Sequence, residues 1–320
     1  MTRNGRTGMD DATDETFFRH HERLYRDFRY IYPVISRRAG GLSVGVNLSP
    51  RMECPFRCIY CQVKRDSRVP DSHSDALTID LDRLEWELVQ LTDRIISGEF
   101  WFMPPFDAVS QLHRRWNDIA LSGDGEPLLS PQFSEVVQRI VQIHRRIGSK
   151  NGTGMGLGTT GLDRPKIVLI TSAASAHLAS AQDGLELLRA CGSGEIWAKL
   201  DAGTEAYYRR VNRGAVAFEQ VLENLREMAK RGPIAIQTLL VDGVSRRGWG
   251  GISLRMSEAE ILAYTERLRE ITAVGTVDHV QIHTVAREPA EAMVLPVTRE
   301  FRTYVATAVR AMTKLRVIVY

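Results

Sequence analysis

Short apolar runs recur along the chain at 42–48 (LSVGVNL), 118–122 (DIALS), 166–172 (KIVLITS), 195–201 (EIWAKLD), 234–241 (IAIQTLLV) and 277–285 (VDHVQIHTV). None alternates cleanly with period two, which is the pattern of strands buried on both faces in a parallel sheet. Between them apolar residues return at helical spacing. Residues 81–97 carry Leu84, Leu88, Leu91 and Ile95, and 216–230 carry Phe218, Val221, Leu222, Leu225 and Met228. Residues 131–147 open on Ser130-Pro131, a cap followed by proline at the first helical position. Residues 257–271 open on Ser257-Glu258-Ala259-Glu260, a capping box. Six alternations of strand and helix predict an α/β fold, a partial (β/α)6 TIM-like barrel of parallel strands.

The ends and interruptions divide the chain. Residues 1–15 are polar, lack an apolar signal region and read as a disordered lead-in. Residues 16–41 hold a helix and connector, with apolar side chains at Phe17, Phe18, Leu24, Tyr25 and Phe28 and with His20 and His21 as packed or capped histidines. The barrel occupies 42–290, and 291–320 carry a last helix near 298–313 and a terminal LRVIVY that suits a closing strand. The glycine-rich stretch 149–165 lacks the lysine of a P-loop and reads as a flexible insertion. The loop 242–257 follows the fifth strand, where Arg246, Arg247 and Trp249 either touch substrate or decorate the surface. The aromatics of 99–106 (EFWFMPPF), with Arg114 and Arg115 nearby, either stack RNA bases or pack a lid against the barrel.

Composition narrows the function classes. A formal net charge of +3 gives no electrostatic footprint for bulk nucleic-acid binding. No run of about 18 apolar residues reads as a membrane span. Four cysteines, three of them clustered, make no disulfide framework and suit a reducing cytoplasm.

The cluster is Cys54, Cys58 and Cys61, spaced C-x3-C-x2-C directly after the first apolar run. Zinc sites want four ligands, and compact thiolates also select iron–sulfur clusters. No fourth ligand lies close, since His73 is twelve residues on and Cys191 belongs to another βα unit. Three thiolates on a four-iron cube leave one iron open for a ligand. The alternative is a closed structural site completed by Cys191 or a histidine, as in a zinc-binding interaction module.

Strand, cysteine loop and repeated βα units in this order resemble the radical S-adenosylmethionine (SAM) superfamily over roughly residues 42 to 290. The resemblance extends to Tyr60 before the third cysteine and to SGDGEPLL at 122–129. It implies a [4Fe–4S] cluster on Cys54, Cys58 and Cys61 with SAM on the open iron. One electron then splits SAM into methionine and a 5′-deoxyadenosyl radical, which takes hydrogen from the substrate. Tyr60 would lie near the adenine. Gly123, Asp124, Gly125, Glu126 and Pro127 would serve the methionyl end. Ser172, Lys199, Asp201, Gln237 and Val285 are carried over as further SAM contacts, with Thr284 and Arg287 beside them. Read from the residues alone, Asp124 and Glu126 are an acid/base pair or solvated turn residues, and Lys199 and Asp201 are an i, i+2 pair on one strand face. Arg37 and Arg38 suit an anionic substrate group or the surface.

SRRAGGLSVGVNLSPRMECPFRCIYCQV, LSGDGEP, IWAKLDAGTEAYYRRVNR and VQIHTVAREP are similar to motifs of a subgroup named by analogy with wyosine-base tRNA-modifying enzymes. The extra cysteines of the wyosine synthases have no counterpart here, so this is a single-cluster member. The implied partners are an electron donor such as flavodoxin or ferredoxin and a substrate that is an RNA base, a peptide or a small metabolite. A glycyl-radical activase is the remaining alternative with the same cofactors.

Overall fold

The computed structural model describes residues 25–50, 52–63, 78–150, 164–245 and 251–320. Ten strands and seven α-helices are found among them. In chain order they are β1 (Ile31–Ser36), β2 (Gly41–Val46), α1 (Leu81–Ser97), β3 (Trp116–Leu121), α2 (Phe133–Lys150), β4 (Lys166–Thr171) and α3 (Ala179–Ala190). Then come β5 (Gly194–Lys199), α4 (Glu205–Val211), α5 (Phe218–Arg231), β6 (Ile234–Ser245), β7 (Ile252–Ser253) and α6 (Glu258–Val274). The last are β8 (Val277–Thr284), β9 (Val294–Pro296), α7 (Arg299–Thr313) and β10 (Val317–Val319). All six predicted strands form, and the sheet runs β1-β2-β3-β4-β5-β6-β8-β10. From β2 onward every pairing in that order is parallel, whereas β1 is antiparallel to β2.

The apolar runs explain the sheet. Every residue of β2 is buried, as a strand covered on both faces must be. Helix α1 packs into the same core through Leu84, Leu88 and Leu91, all fully buried. Each such side chain contributes about 1.5–3 kcal/mol relative to exposure. Asp80 caps α1 by accepting from Arg83 N at 3.0 Å, and Gly98 ends it with φ 80°. On the same helix the buried Glu87 accepts the backbone amides of Arg29 (2.8 Å), Tyr30 (2.8 Å) and Ile31 (3.2 Å). That carboxylate fixes where β1 begins.

Two expectations need correcting. The helix placed at 16–29 falls partly outside the described residues, and from Tyr25 to Tyr30 the chain forms turns and bends leading into β1. The terminal LRVIVY does yield a strand, but β10 extends the sheet beside β8 and has no pairing with β1, so the barrel stays open. The rest of the sequence outline maps simply. Strand β6 runs on to Ser245 and pairs with β7 and β9, so the loop expected from 242 begins as strand. Arg246, Arg247 and Trp249 lie outside the described residues, as does most of the glycine-rich stretch. In the aromatic segment Phe100 and Phe106 are buried with ring centroids 4.4 Å apart, and Arg114 donates to the carbonyls of Val109 and Asp107. Packing, not display, accounts for most of it.

Candidate active site

Parallel register brings the C-terminal strand ends to one rim. Val46 pairs with Leu121, Thr171 with Ala198, Lys199 with Gln237, and Leu240 with Thr284. In open α/β sheets this is the rim where ligands bind. A cavity of 340 Å³ lies there, and Cys54, Cys58 and Cys61 all line it. Tyr60, Gly123, Gly125, Glu126, Ser172, Lys199, Asp201, Gln237 and Val285 line it too. Asp124 and Pro127 do not line it. Asp124 accepts from Asn47 Nδ2 at 2.7 Å, and Pro127 is buried at the start of a single 3-10 turn.

The cysteine loop has no helix or strand of its own. Its backbone is held by neighbours: Glu53 O accepts from Glu126 N (3.0 Å), Arg57 N donates to Asn212 O (3.2 Å), and Ile59 N donates to Val211 O (2.9 Å). Pro55 O accepts from Ala215 N and Cys61 O from Ala290 N, both at 2.7 Å. The turn after β3 presses directly on this loop. A Cβ at Gly125 would sit 2.0 Å from Glu53 O and 2.4 Å from Ser49 Cβ, so the approach requires glycine.

Glu126 is buried and saturated. One carboxylate oxygen accepts from Leu128 N (3.1 Å) and Thr171 Oγ1 (2.6 Å), the other from Ser172 N (2.7 Å) and Ser172 Oγ. A carboxylate has about four acceptor positions. All are used in stapling the end of β3 to the end of β4. Burial pushes this carboxyl upward, and those hydrogen bonds oppose the shift.

Asp201 is a second hub. It accepts from Tyr60 Oη, from Asn212 Nδ2 (2.8 Å) and from Leu239 N (2.8 Å), and Lys199 Nζ lies 3.3 Å from its other face. Lys199 Nζ also stands 5.0 Å from the centroid of the Tyr60 ring. Burial first, and the Asp201 charge next, push the Tyr60 phenol well above its usual range, so it stays a neutral donor. Asn212 is the residue that sequence reasoning missed. It caps the end of α4, and its Nδ2 reaches Tyr60 Oη (3.1 Å) and Cys58 Sγ (3.8 Å). Asn212 falls inside the quoted motif IWAKLDAGTEAYYRRVNR, but its contacts do not show there, because its partners are distant in the chain. His283 was also missed. It lines the cavity with Nδ1 buried and without a hydrogen-bond partner among the described residues.

The donor set fits an iron–sulfur cluster. Three soft thiol donors in a compact run face one cavity, and burial, with Asp201 second, pushes the Cys58 thiol up to about 11. Among the described residues no three His, Cys, Asp or Glu side chains converge tightly enough for a single metal ion. A cube of four irons spans its ligands more widely than one ion does. Cys191 does not line the cavity; it ends α3 and its Sγ donates to Leu188 O at 3.0 Å.

The model of the radical SAM superfamily matches residues 51–252. A search of curated proteins finds no match. Among solved structures, the fold is similar to Streptococcus suis SuiB bound to S-adenosylmethionine, at 10% identity and TM-score 0.50, over 84% of this chain and 48% of that one. SuiB bound to its precursor peptide SuiA gives 11% identity and TM-score 0.50, over 84% of this chain and 47% of that one. TYW1 with a lysine–pyruvate adduct bound is similar at 16% identity and TM-score 0.49, over 94% of this chain and 81% of that one. The chain spans about half the length of SuiB.

Proposed function

Since the chain belongs to the radical SAM superfamily, and its cofactors are therefore a [4Fe–4S] cluster and SAM, we propose that Cys54, Cys58 and Cys61 hold the cluster and that SAM lies in the barrel mouth beside it. When bound, the two supply a one-electron reductive cleavage and a carbon radical that takes hydrogen from the substrate. The chain's own residues bind and orient. Asp201 and Asn212 anchor Tyr60, and with it the cluster loop, for stacking near the adenine. Lys199, held by Asp201, faces the cavity as a cation for the SAM carboxylate. Because Glu126 is saturated by protein donors, the methionyl ammonium falls to the carbonyls of Ser122 and Gly123 at the end of β3. Ser172, Gln237 and Val285 complete the cavity wall. The substrate is an RNA base, a peptide or a small metabolite, and the electron comes from a donor such as flavodoxin or ferredoxin in the cytoplasm. No helix among the described residues is long and apolar enough to cross a membrane.

The observation that carries this reading is the partition of the four cysteines. Three line the cavity formed by the strand ends, and the fourth is bonded elsewhere. The zinc-module alternative needs Cys191 or a histidine as fourth ligand, and the geometry of Cys191 weighs against it. The test is anaerobic reconstitution with iron and sulfide, then addition of SAM and dithionite. Brown protein with about four irons, releasing 5′-deoxyadenosine and methionine, is expected of a four-iron cluster that cleaves SAM. Cys191→Ser should keep its iron, and Cys58→Ser should lose most of it. Colourless protein with stoichiometric zinc would sink the proposal.

A further inference from the structure

Beside the barrel cavity lies a second one of 480 Å³, and the two share Arg37, Thr284, Val285, Ala286 and Arg287 as walls. This annex reaches from the end of β8 towards β9 and α7, where Arg302 completes its lining. Three arginines thus line one volume, against a single acidic lining residue, the exposed Glu288. The neighbouring acid Glu291 is committed to Arg213, whose Nη2 lies 3.1 Å from Glu291 Oε2. Arg302 Nε is buried with no hydrogen-bond partner among the described residues, which leaves an uncompensated donor. Arg287 donates to Gln62 Oε1 at 3.4 Å, beside Cys61, so the annex abuts the cysteine loop. The barrel side of the shared wall is cationic as well. Burial and the charges of Arg38, Lys199 and Arg37 hold the His283 imidazole well below its usual range.

We propose that the annex binds an oxyanion of the substrate, a phosphoryl or carboxylate group, on the guanidiniums of Arg37, Arg287 and Arg302 while the reacting part of the substrate lies in the barrel cavity. As a substrate subsite this rests on the function proposed above. Space supports it. The barrel cavity of 340 Å³ is near the lower end of ligand pockets, which run about 300–1,000 Å³, and SAM must share it. Planar guanidiniums suit oxyanions because each presents paired N–H donors to two oxygens.

The test titrates cluster-loaded protein with inorganic phosphate and, separately, with acetate, at constant ionic strength against chloride, reading heat of binding. Saturable binding of one anion is expected, and which one identifies the group. Arg302→Gln should weaken it by about tenfold, the loss of one charge-assisted contact. Arg37→Gln, at an exposed position, should do the same and guards against a folding defect in the first variant. Arg269→Gln, on α6 and paired with Glu266, should leave binding unchanged. Neither anion exceeding chloride, neither variant weakening the bound one, or SAM competing it away would each overturn the subsite. SAM cleavage by the same preparation is read independently, so anion binding without cleavage would sink the function and leave the oxyanion site standing.

Discussion

Asp118 stands at the start of β3, far from the rim, and its carboxylate accepts from Ser43 Oγ. Burial pushes this carboxyl up to about 6, against the opposing hydrogen bond from Ser43 and the charge of Arg38. A folded-state value above the unfolded 3.8 means that the native protein binds the proton more tightly. Its stabilising effect is therefore complete below about pH 4 and is lost as pH rises through about 6. A shift of about two units corresponds to about 3 kcal/mol. Asp118→Asn should consequently gain stability relative to the parent by that order between pH 4 and pH 7, measured by urea unfolding at each pH. Parallel curves for the two proteins would refute the assignment. Single residues were legible when type and spacing mark them together, as with the three cysteines, which do line one cavity. They were illegible when a partner far along the chain decides the role. Nothing local to Glu126 shows that its carboxylate is held by donors on β4, and Asn212 meets Cys58 and Tyr60 only once α4 folds back on the cysteine loop.

Elements were easier to read than the contacts between them. Helix α6 begins at its predicted cap, with Ser257 Oγ accepting from Glu260 N at 3.2 Å. The Glu260 carboxylate, however, turns away from the cap and accepts from Gly203 N (2.6 Å), Thr204 N (3.0 Å) and Thr204 Oγ1 (2.6 Å). A tertiary partner outcompeted the local one, and it holds the turn between β5 and α4. Strand β1 escaped notice because Pro33 interrupts its pattern, which an edge strand tolerates. Helix α3 escaped for a similar reason. Gly184 weakens its helical signal, yet a Cβ there would lie 2.4 Å from the Phe133 ring, so glycine lets α2 and α3 touch. The contact at Gly125 makes a sharper prediction. Gly125→Ala should destabilise the protein by about 1–3 kcal/mol through overpacking and lower the iron retained per chain. Full iron content at unchanged stability would show that the turn after β3 does not set the shape of the cysteine loop.

At the scale of the molecule, the six central strands and their parallel arrangement were foreshadowed by runs of apolar residues. Closure was not. Whether a terminal strand seals a barrel or lengthens a sheet depends on accumulated twist and tilt, which no local pattern encodes. Because the cavity wall draws on nearly every βα unit, occupancy should be felt by the whole fold. Cluster-loaded protein should gain about 2.7 kcal/mol at a SAM concentration about 100 times its Kd, read as a rise in Tm. A Tm that ignores SAM would separate the cavity from the cofactor.

The tethers of the cysteine loop have a further consequence, for biogenesis. Its backbone partners lie at Glu126, Val211, Asn212, Ala215 and Ala290, so the last anchor is made some 230 residues after the last thiol is synthesised. Until the residues up to Ala290 have been made the loop lacks that anchor, so the full set of tethers around the three sulfurs forms only when the C-terminal half has docked.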